Sequence, residues 1–311
     1  MIEPECSCNA PYVSVIVPCF NDAQGIRDTL TSLARQDYPK DRMEVIVVDN
    51  NSTDGTPRII DEFADRIINF RHLVERDRQS SYAARNRGIA CARGAIVAFI
   101  DTDMSVGPEW LSQISMKFKD SDVIYLACGV TIYEERASVF AAFNRMKGFP
   151  IDEYVQHAHF APTCCLAVRK TVFEEVGMFD ARVISGGDYE FGTRVYRAGK
   201  PLHYAPEIRM NHPARTSLRQ LLKKYFRVGR GLQQLANYYP DRYRETFKHL
   251  LNPLHLLPSM PTKFIISLKH NSIWRKASYT DKLLLYGIDW GLRVSKYAGH
   301  VYEKQRFQAH I

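Results

Sequence analysis

The sequence has no apolar run long enough to cross a bilayer, which takes about 20 residues as a helix. Residues 1–11 contain no basic segment followed by an apolar core, so no signal peptide is expected and the chain is expected to be cytoplasmic. Cysteine is scarce and odd in number, at seven in 311 residues. Cys6-Ser7-Cys8 has no second pair at zinc-site spacing. Cys19, Cys91, Cys128, Cys164 and Cys165 stand in apolar segments, the pattern of buried free thiols in a reducing compartment. Repeats and low-complexity segments are absent. What remains is an ordinary globular composition, 45% hydrophobic and 24% charged, sized for one large domain or two small ones.

Acidic residues are in short supply at one end. Residues 213–311 carry 18 Lys and Arg against 5 Asp and Glu, whereas residues 1–212 carry 24 against 29. A basic third on a mildly acidic body suits a polyanionic partner, either an anionic membrane or nucleic acid. This third reads as helical. Ser217-Leu218-Arg219-Gln220 has the form of a capping box. After it, Arg219, Lys223, Arg227 and Arg230 share one face, with Leu218, Leu221, Leu222 and Tyr225 largely on the other. Residues 280–298 repeat the pattern, with Lys282, Asp289, Arg293 and Lys296 opposite Leu284, Ile288 and Leu292.

The first hundred residues alternate. Residues 12–18, 44–49, 67–74 and 95–100 read as strands. Helices are expected over 24–36, from Thr56-Pro57 onward with Thr56 as N-cap, and over 82–91. Such alternation implies a parallel sheet covered on both faces, with ligands beyond the carboxyl ends of its strands. Asn21-Asp22, Asp49-Asn50-Asn51 and Asp101-Thr102-Asp103 follow three of these strands. The middle is less regular, with strand-like pieces at 123–132 and 163–169 and helices at 136–147 and 188–198. Trp110 is expected in the core. The two carboxylates at 101 and 103, where a strand opens into a loop, suit Mg²⁺ or Mn²⁺. Those ions take oxygen ligands and keep positions open for substrate phosphates. Two solvated loop carboxylates are the plain alternative.

Val13-Ser14-Val15-Ile16-Val17-Pro18-Cys19-Phe20-Asn21 resembles the opening strand of family 2, GT-A-fold glycosyltransferases. Val47-Val48-Asp49-Asn50-Asn51-Ser52-Thr53-Asp54-Gly55-Thr56 resembles their second signature. Ser81-Tyr82-Ala83-Ala84-Arg85-Asn86-Arg87-Gly88, Ala92-Arg93-Gly94 and Asp101-Thr102-Asp103 complete a nucleotide-sugar half. Gly177-Met178-Phe179-Asp180 and Gly186-Gly187-Asp188-Tyr189-Glu190-Phe191 resemble the acceptor-side signatures. Order and spacing match over about residues 12–212.

The resemblance implies an α/β, Rossmann-like GT-A fold. Its mostly parallel sheet would be flanked by helices, with a helical basic extension at the C-terminus. Residues 1–11 would be a tail, 12–104 the nucleotide-sugar half, 105–212 the acceptor half, and 213–311 a lid or membrane-surface segment. It implies an inverting, metal-dependent transfer from a nucleoside-diphosphate sugar to a hydroxyl of a glycan or lipid-linked acceptor. Donor contacts fall on Pro18, Phe20, Asn21, Asp49, Asn51, Arg85, Asp101 and Thr102. The Asp49 carboxylate is suited to accept the N3–H of uracil, which favours a UDP-sugar. Asp103 would bind Mn²⁺ or Mg²⁺, with Asp101 near the ribose or a metal-bound water and His212 as a further ligand. Asp188 would be the general base, with Gly187, Glu190 and Arg215 on the acceptor side. Arg215, Arg219 and Arg230 would reach the diphosphate if 213–231 closes as a lid. The commoner family pattern has Glu before the base, where this chain has Gly187.

Two other readings stand beside this one. A nucleotidyltransferase would need a glycine-rich, Lys- or Arg-bearing loop after the first strand, where Pro18-Cys19-Phe20-Asn21-Asp22 lies instead. A non-catalytic nucleic-acid- or carbohydrate-binding protein would not need Asp49, Asp101, Asp103 and Asp188 together. No single-strand-binding motif accompanies Tyr225, Phe226, Tyr238 and Tyr239, so nucleic acid is not expected as a partner.

Overall fold

A computed structural model describes residues 10–248 and 252–309; Cys6-Ser7-Cys8 lies outside the described residues. The chain divides into two compact units. The first comprises residues up to 131, 150–182 and 187–212, and the second comprises 132–149, 183–186 and 213 onward.

The first unit is an α/β sheet structure. Its leading half runs β1 (Val13–Cys19), α1 (Ala23–Ala34), β2 (Met43–Asp49), α2 (Thr56–Asp61), β3 (Phe70–Val74), α3 (Ser81–Cys91) and β4 (Ile96–Phe99). Then follow β5 (Ser105–Val106), α4 (Trp110–Lys117), β6 (Tyr125–Tyr133), α6 (Ile151–Ala158), β7 (Leu166–Arg169), α7 (Lys170–Val176), α8 (Gly187–Arg197) and β8 (His203–Pro213). The eight strands form one sheet in the order β3-β2-β1-β4-β7-β6-β8-β5. Pairing is parallel from β3 through β4, as the alternation implied, and turns antiparallel at β4–β7, β7–β6 and β8–β5. β1 and β2 are buried along their whole length, which explains why they read as continuous apolar runs.

Two family signatures serve this packing. Glu44 is completely buried and accepts hydrogen bonds from Ser14 Oγ (2.6 Å), the Arg93 amide (2.7 Å) and Arg93 Nε (3.1 Å). A Cβ on Gly94 would stand 2.6 Å from the Ser14 amide nitrogen, so Ala92-Arg93-Gly94 buttresses the sheet. A Cβ on Gly88 would come within 2.7 Å of Ile16, so α3 lies close on β1. Trp110 is in the core, as expected. Cys19, Cys128, Cys164 and Cys165 are buried free thiols; Cys91 is free and half-buried. Helix α2 starts at Thr56, one residue earlier than expected. The Thr56 hydroxyl takes the Asp22 amide (2.9 Å), and the Thr56 amide is capped by Asp54 Oδ1 (2.9 Å).

The second unit is helical: α5 (Val139–Lys147), α9 (Leu218–Tyr238), α10 (Pro240–Lys248), α11 (Pro261–Leu268), α12 (Ser272–Lys276) and α13 (Tyr279–Gln308). The capping box of Ser217 and Gln220 is present at the start of α9. The core gathers Phe143, Met146, Leu221, Phe264, Trp274 and Leu285, among others. Helices α9 and α13 approach at two glycines. A Cβ on Gly229 would collide with the Lys296 carbonyl, and one on Gly299 with the Phe226 carbonyl. The buried stripe of α13 runs through Leu285, Ile288 and Leu292. Leu284, expected on that stripe, is exposed.

Candidate active site

The parallel half of the sheet delivers the site. Beyond β1, Asn21 takes a left-handed conformation (φ 48°), and its Oδ1 accepts the Thr53 amide (2.8 Å). The Asn21 amide donates to Ser52 Oγ (2.9 Å), so the loops after β1 and β2 are tied together. Pro18 is buried in β1, whereas the Phe20 ring is exposed at the strand's end. Asp49 is 2% exposed. Its carboxylate accepts Ser52 Oγ (2.5 Å) and the Ser52 amide (3.1 and 3.2 Å to the two oxygens), an Asx-type turn. Two carboxylate oxygens offer about four acceptor positions, so room remains for a donor from a ligand. Asn51 has φ 64° and is exposed. Asn50, not singled out in the sequence, spans this loop and the next: its Nδ2 donates to the Glu75 and Arg78 carbonyls (3.1 and 2.8 Å) and its Oδ1 accepts the Ser80 amide (2.8 Å).

Helix α3 brings Arg85 inside. The residue is 3% exposed, and its Nη2 donates to Asp101 Oδ1 at 2.5 Å. Burial is the largest single influence and lowers the guanidinium pKa, but the charge and hydrogen bond of Asp101, together with Tyr82 and the Asp188 charge, leave it raised. Its buried Nε has no hydrogen-bond partner. Asp101, Thr102 and Asp103 are half-buried, and Asp103 has φ 73°. The two-residue strand β5 pairs with β8 in the register Ser105↔Asn211, which carries His212 to the Asp101–Asp103 turn. His212 Nε2 lies 3.9 Å from Asp103 Oδ1. Among the described residues, no group of three or more His, Cys, Asp or Glu side chains stands ready to cage a metal. One carboxylate, one imidazole and the free oxygen of Asp101 fit an ion that takes its remaining ligands from a diphosphate and water.

On the acceptor-side signature, Gly187 and Asp188 open α8. Asp188 Oδ1 accepts the Tyr189 amide (3.0 Å) and the Tyr82 hydroxyl (3.3 Å). Burial raises the Asp188 pKa above the ordinary carboxylate value, opposed by the Tyr189 amide, the Arg85 charge and the Tyr82 hydroxyl. Tyr82 therefore touches both groups: its ring lies 5.5 Å from the Arg85 guanidinium. Glu190 is completely buried and accepts Arg194 Nε (2.8 Å). Arg194 in turn donates to the carbonyls of Val176, Gly177 (3.1 Å) and Met178 (2.6 Å), clasping the Gly177-Met178-Phe179-Asp180 signature. Arg215 belongs to the second unit, where its amide donates to Asn144 Oδ1 (2.9 Å). Arg230, also there, pairs with Glu303 (2.7 Å). Sequence reasoning passed over Tyr82, Asn50 and Arg194. Tyr82 reaches Asp188 across 106 residues, Asn50 reaches Arg78 across 28, and Arg194, besides its i,i+4 pair with Glu190, reaches Met178 across 16.

An Asp-x-Asp turn and a buried arginine beside it lie past the carboxyl ends of a Rossmann-like sheet, where α/β proteins bind ligands, with an aspartate at a helix start linked to them through Tyr82. The chain matches the model of "Glycosyl transferase family 2" over residues 14–177 and that of "Glycosyl transferase family group 2" over residues 96–297. It belongs to glycosyltransferase family 2 and is a glycosyltransferase of GT-A fold. It is 38% identical over 226 residues to Glycosyltransferase AglE of Haloferax volcanii, covering 72% of this chain and 74% of that protein. The Pre-mycofactocin glycosyltransferase of Mycobacterium tuberculosis and the probable glycosyltransferase YdaM of Bacillus subtilis, at 28% and 26% identity over 74% and 63% of this chain, are spanned over about half their length. Among solved structures it resembles the mannosyltransferase PcManGT of Pyrobaculum calidifontis, in complex with GDP-Man and Mn²⁺. That match has a TM-score of 0.64 at 20% identity and covers 96% of this chain and 88% of that one. It also resembles TarS 1-349 of S. aureus in complex with UDP-GlcNAc, with a TM-score of 0.55 at 18% identity, covering 94% and 92%.

Proposed function

We propose that the chain transfers a sugar from a nucleoside-diphosphate sugar to an acceptor hydroxyl, with inversion at the anomeric carbon. The observation that carries this reading is the convergence on Tyr82, whose ring packs by Arg85 and whose hydroxyl reaches Asp188. A donor-side cation and a candidate base thus share one neighbour. Asp188 removes the proton of the acceptor hydroxyl, and the oxygen attacks C1. The bond from C1 to the diphosphate oxygen breaks, and its electron pair leaves with the nucleoside diphosphate. One displacement of this kind inverts C1. Burial raises the pKa of Asp188, which makes its ionised carboxylate a stronger base than an exposed one.

The diphosphate lies by Arg85, with Asp101 and Thr102 toward the ribose and Asn21, Asn51 and Phe20 toward the base. Asp103, Asp101 and His212 are the residues to hold Mn²⁺ or Mg²⁺. Such an ion neutralises the charge that develops on the departing diphosphate. The two solved relatives carry different nucleotides. The preference for UDP therefore rests on Asp49, whose carboxylate can accept the uracil N3–H. Gly187 and Tyr189 flank the acceptor, while Glu190 supports the helix that carries the base.

A glycan or lipid-linked acceptor at an anionic membrane surface is favoured by the second unit. Leu254, Leu257, Met260, Ile266, Leu283 and Trp290 are exposed there. Trp290 Nε1 donates to the Leu256 carbonyl (2.7 Å), which holds the segment before α11 against α13. Lys263, Lys269, Arg275 and Lys276 are exposed in the same stretch of sequence. No helix among the described residues is long and apolar enough to cross a membrane, so attachment would be peripheral. The test of the reaction is Asp188→Asn. Donor binding by calorimetry should be unchanged and turnover should fall by roughly 10²–10⁴-fold; a fully active variant removes Asp188 from the mechanism.

A further inference from the structure

We propose that Tyr82 is the positioning residue for Asp188, and that position 187 is glycine because the Tyr82 ring fills the space of a side chain there. The proposal rests on Asp188 as the base. It explains a departure of this chain from the commoner Glu-Asp pattern.

The geometry is closed on every side. Tyr82, the second residue of α3, is 5% exposed. Its ring packs on Phe179 (5.8 Å between centroids). Phe179 is held at its backbone by Asn86, which donates to its carbonyl (2.8 Å) and accepts from its amide (3.1 Å). The Tyr82 hydroxyl donates to Asp188 Oδ1 (3.3 Å) and accepts the Asp188 amide (3.4 Å). One hydroxyl therefore fixes both the backbone and the carboxylate of the same residue, and the other carboxylate oxygen is left for an acceptor hydroxyl. A Cβ on Gly187 would lie 2.9 Å from two carbons of the ring and 3.0 Å from a third, closer than side chains normally pack, so the ring or the helix start would have to shift. The ring has little freedom to yield, because Phe179 and Arg85 flank it.

The substitution also changes the charge beside the base. A glutamate at 187 would set a second anion next to Asp188 and make it harder to ionise. The groups that face Asp188 here are Tyr82 and Arg85 from α3, Tyr125 from β6, Tyr154 from α6 and Tyr189 from α8. They are one cation, three phenols and the backbone amide of Tyr189, and the Tyr82 hydroxyl is the side-chain donor that reaches the carboxylate.

The experiment titrates the Asp188 carboxyl by ¹³C NMR in aspartate-labelled protein, with its resonance assigned by loss in Asp188→Asn. Tyr82→Phe keeps the ring and deletes the hydroxyl. It should raise the titration midpoint by about one unit, and UDP released from UDP-glucose should fall about tenfold at pH values below the native midpoint while the KM for the donor stays within about twofold. In parallel, Gly187→Ala should lower the melting temperature in the native background and cost nothing further in a Tyr82→Ala background. An unmoved titration in Tyr82→Phe, or a harmless Gly187→Ala, overturns the proposal and leaves Asp188 as base untouched. Full turnover by Asp188→Asn overturns the base reading and the catalytic role of Tyr82 with it.

Discussion

At the residue scale the informative group is Asp188, because two demands on it conflict. Burial favours its protonated form, whereas a general base must be ionised. The folded-state pKa lies above the unfolded one. The stability Asp188 contributes is therefore complete below the ordinary carboxylate range and is lost as pH rises through the raised value. Asp188→Asn, which carries no charge to desolvate, should melt at or above the native protein at pH 8. That difference should close as pH falls to about 4, where both side chains are neutral. Differential scanning calorimetry across this range checks it; a variant that melts lower throughout would mean that Arg85 and Tyr82 stabilise the carboxylate more than burial penalises it. The positions of the aspartates were legible because each ends or follows a strand, or opens a helix, within a recognisable signature. Tyr82 and Arg194 were not, since a side chain's role is set by what lies across the fold. Tyr82 is 106 residues from Asp188 in the chain, and nothing local distinguishes it from a core tyrosine.

At the element scale, the strands that were legible are the buried parallel ones. Their apolar runs need no partner to be recognised. β8 was invisible because Pro206 and Pro213 fall inside it and its exposed face carries Glu207 and Arg209. That omission concealed why His212 meets Asp103, which follows from the β5–β8 register. The stripe of α13 was misplaced by one residue. Leu284, Ile288 and Leu292 are spaced four apart and drift around the helix, whereas Leu285, Ile288 and Leu292, spaced three and four apart, stay on one side. The contact of α9 with α13 gives a sharp prediction. Gly299→Ala forces a methyl onto the Phe226 carbonyl and should cost about 1–3 kcal/mol in urea unfolding. Gly287→Ala on the same helix meets nothing within 4 Å and should be neutral or stabilising by up to about 1 kcal/mol. Equal costs at both sites would contradict the close approach.

At the scale of the whole molecule, charge and apolar exposure fall together in the second unit. Residues 213–311 hold 18 basic side chains against 5 acidic ones, and the exposed leucines and Trp290 lie in the same stretch. Charge asymmetry could be read directly from the sequence. The apolar exposure could not, because apolar residues over 254–266 look the same whether they pack inward or face water. Vesicles containing anionic phospholipid should sediment the protein at low salt. Leu283→Asp with Ile266→Asp should weaken this about tenfold or more, while zwitterionic vesicles should bind poorly. Binding unaffected by the two aspartates would assign any attraction to charge alone.

The donor site is the claim on which the rest depends. A thermal-shift panel of UDP, GDP, CDP and their common sugar conjugates, each with and without Mn²⁺, addresses it directly, since a ligand bound only by the folded state raises the melting temperature by mass action. The expected result is a Mn²⁺-dependent rise with UDP or a UDP-sugar that is absent in Asp103→Ala. The same rise in Asp103→Ala, or a rise with no need for metal, would contradict the assignment.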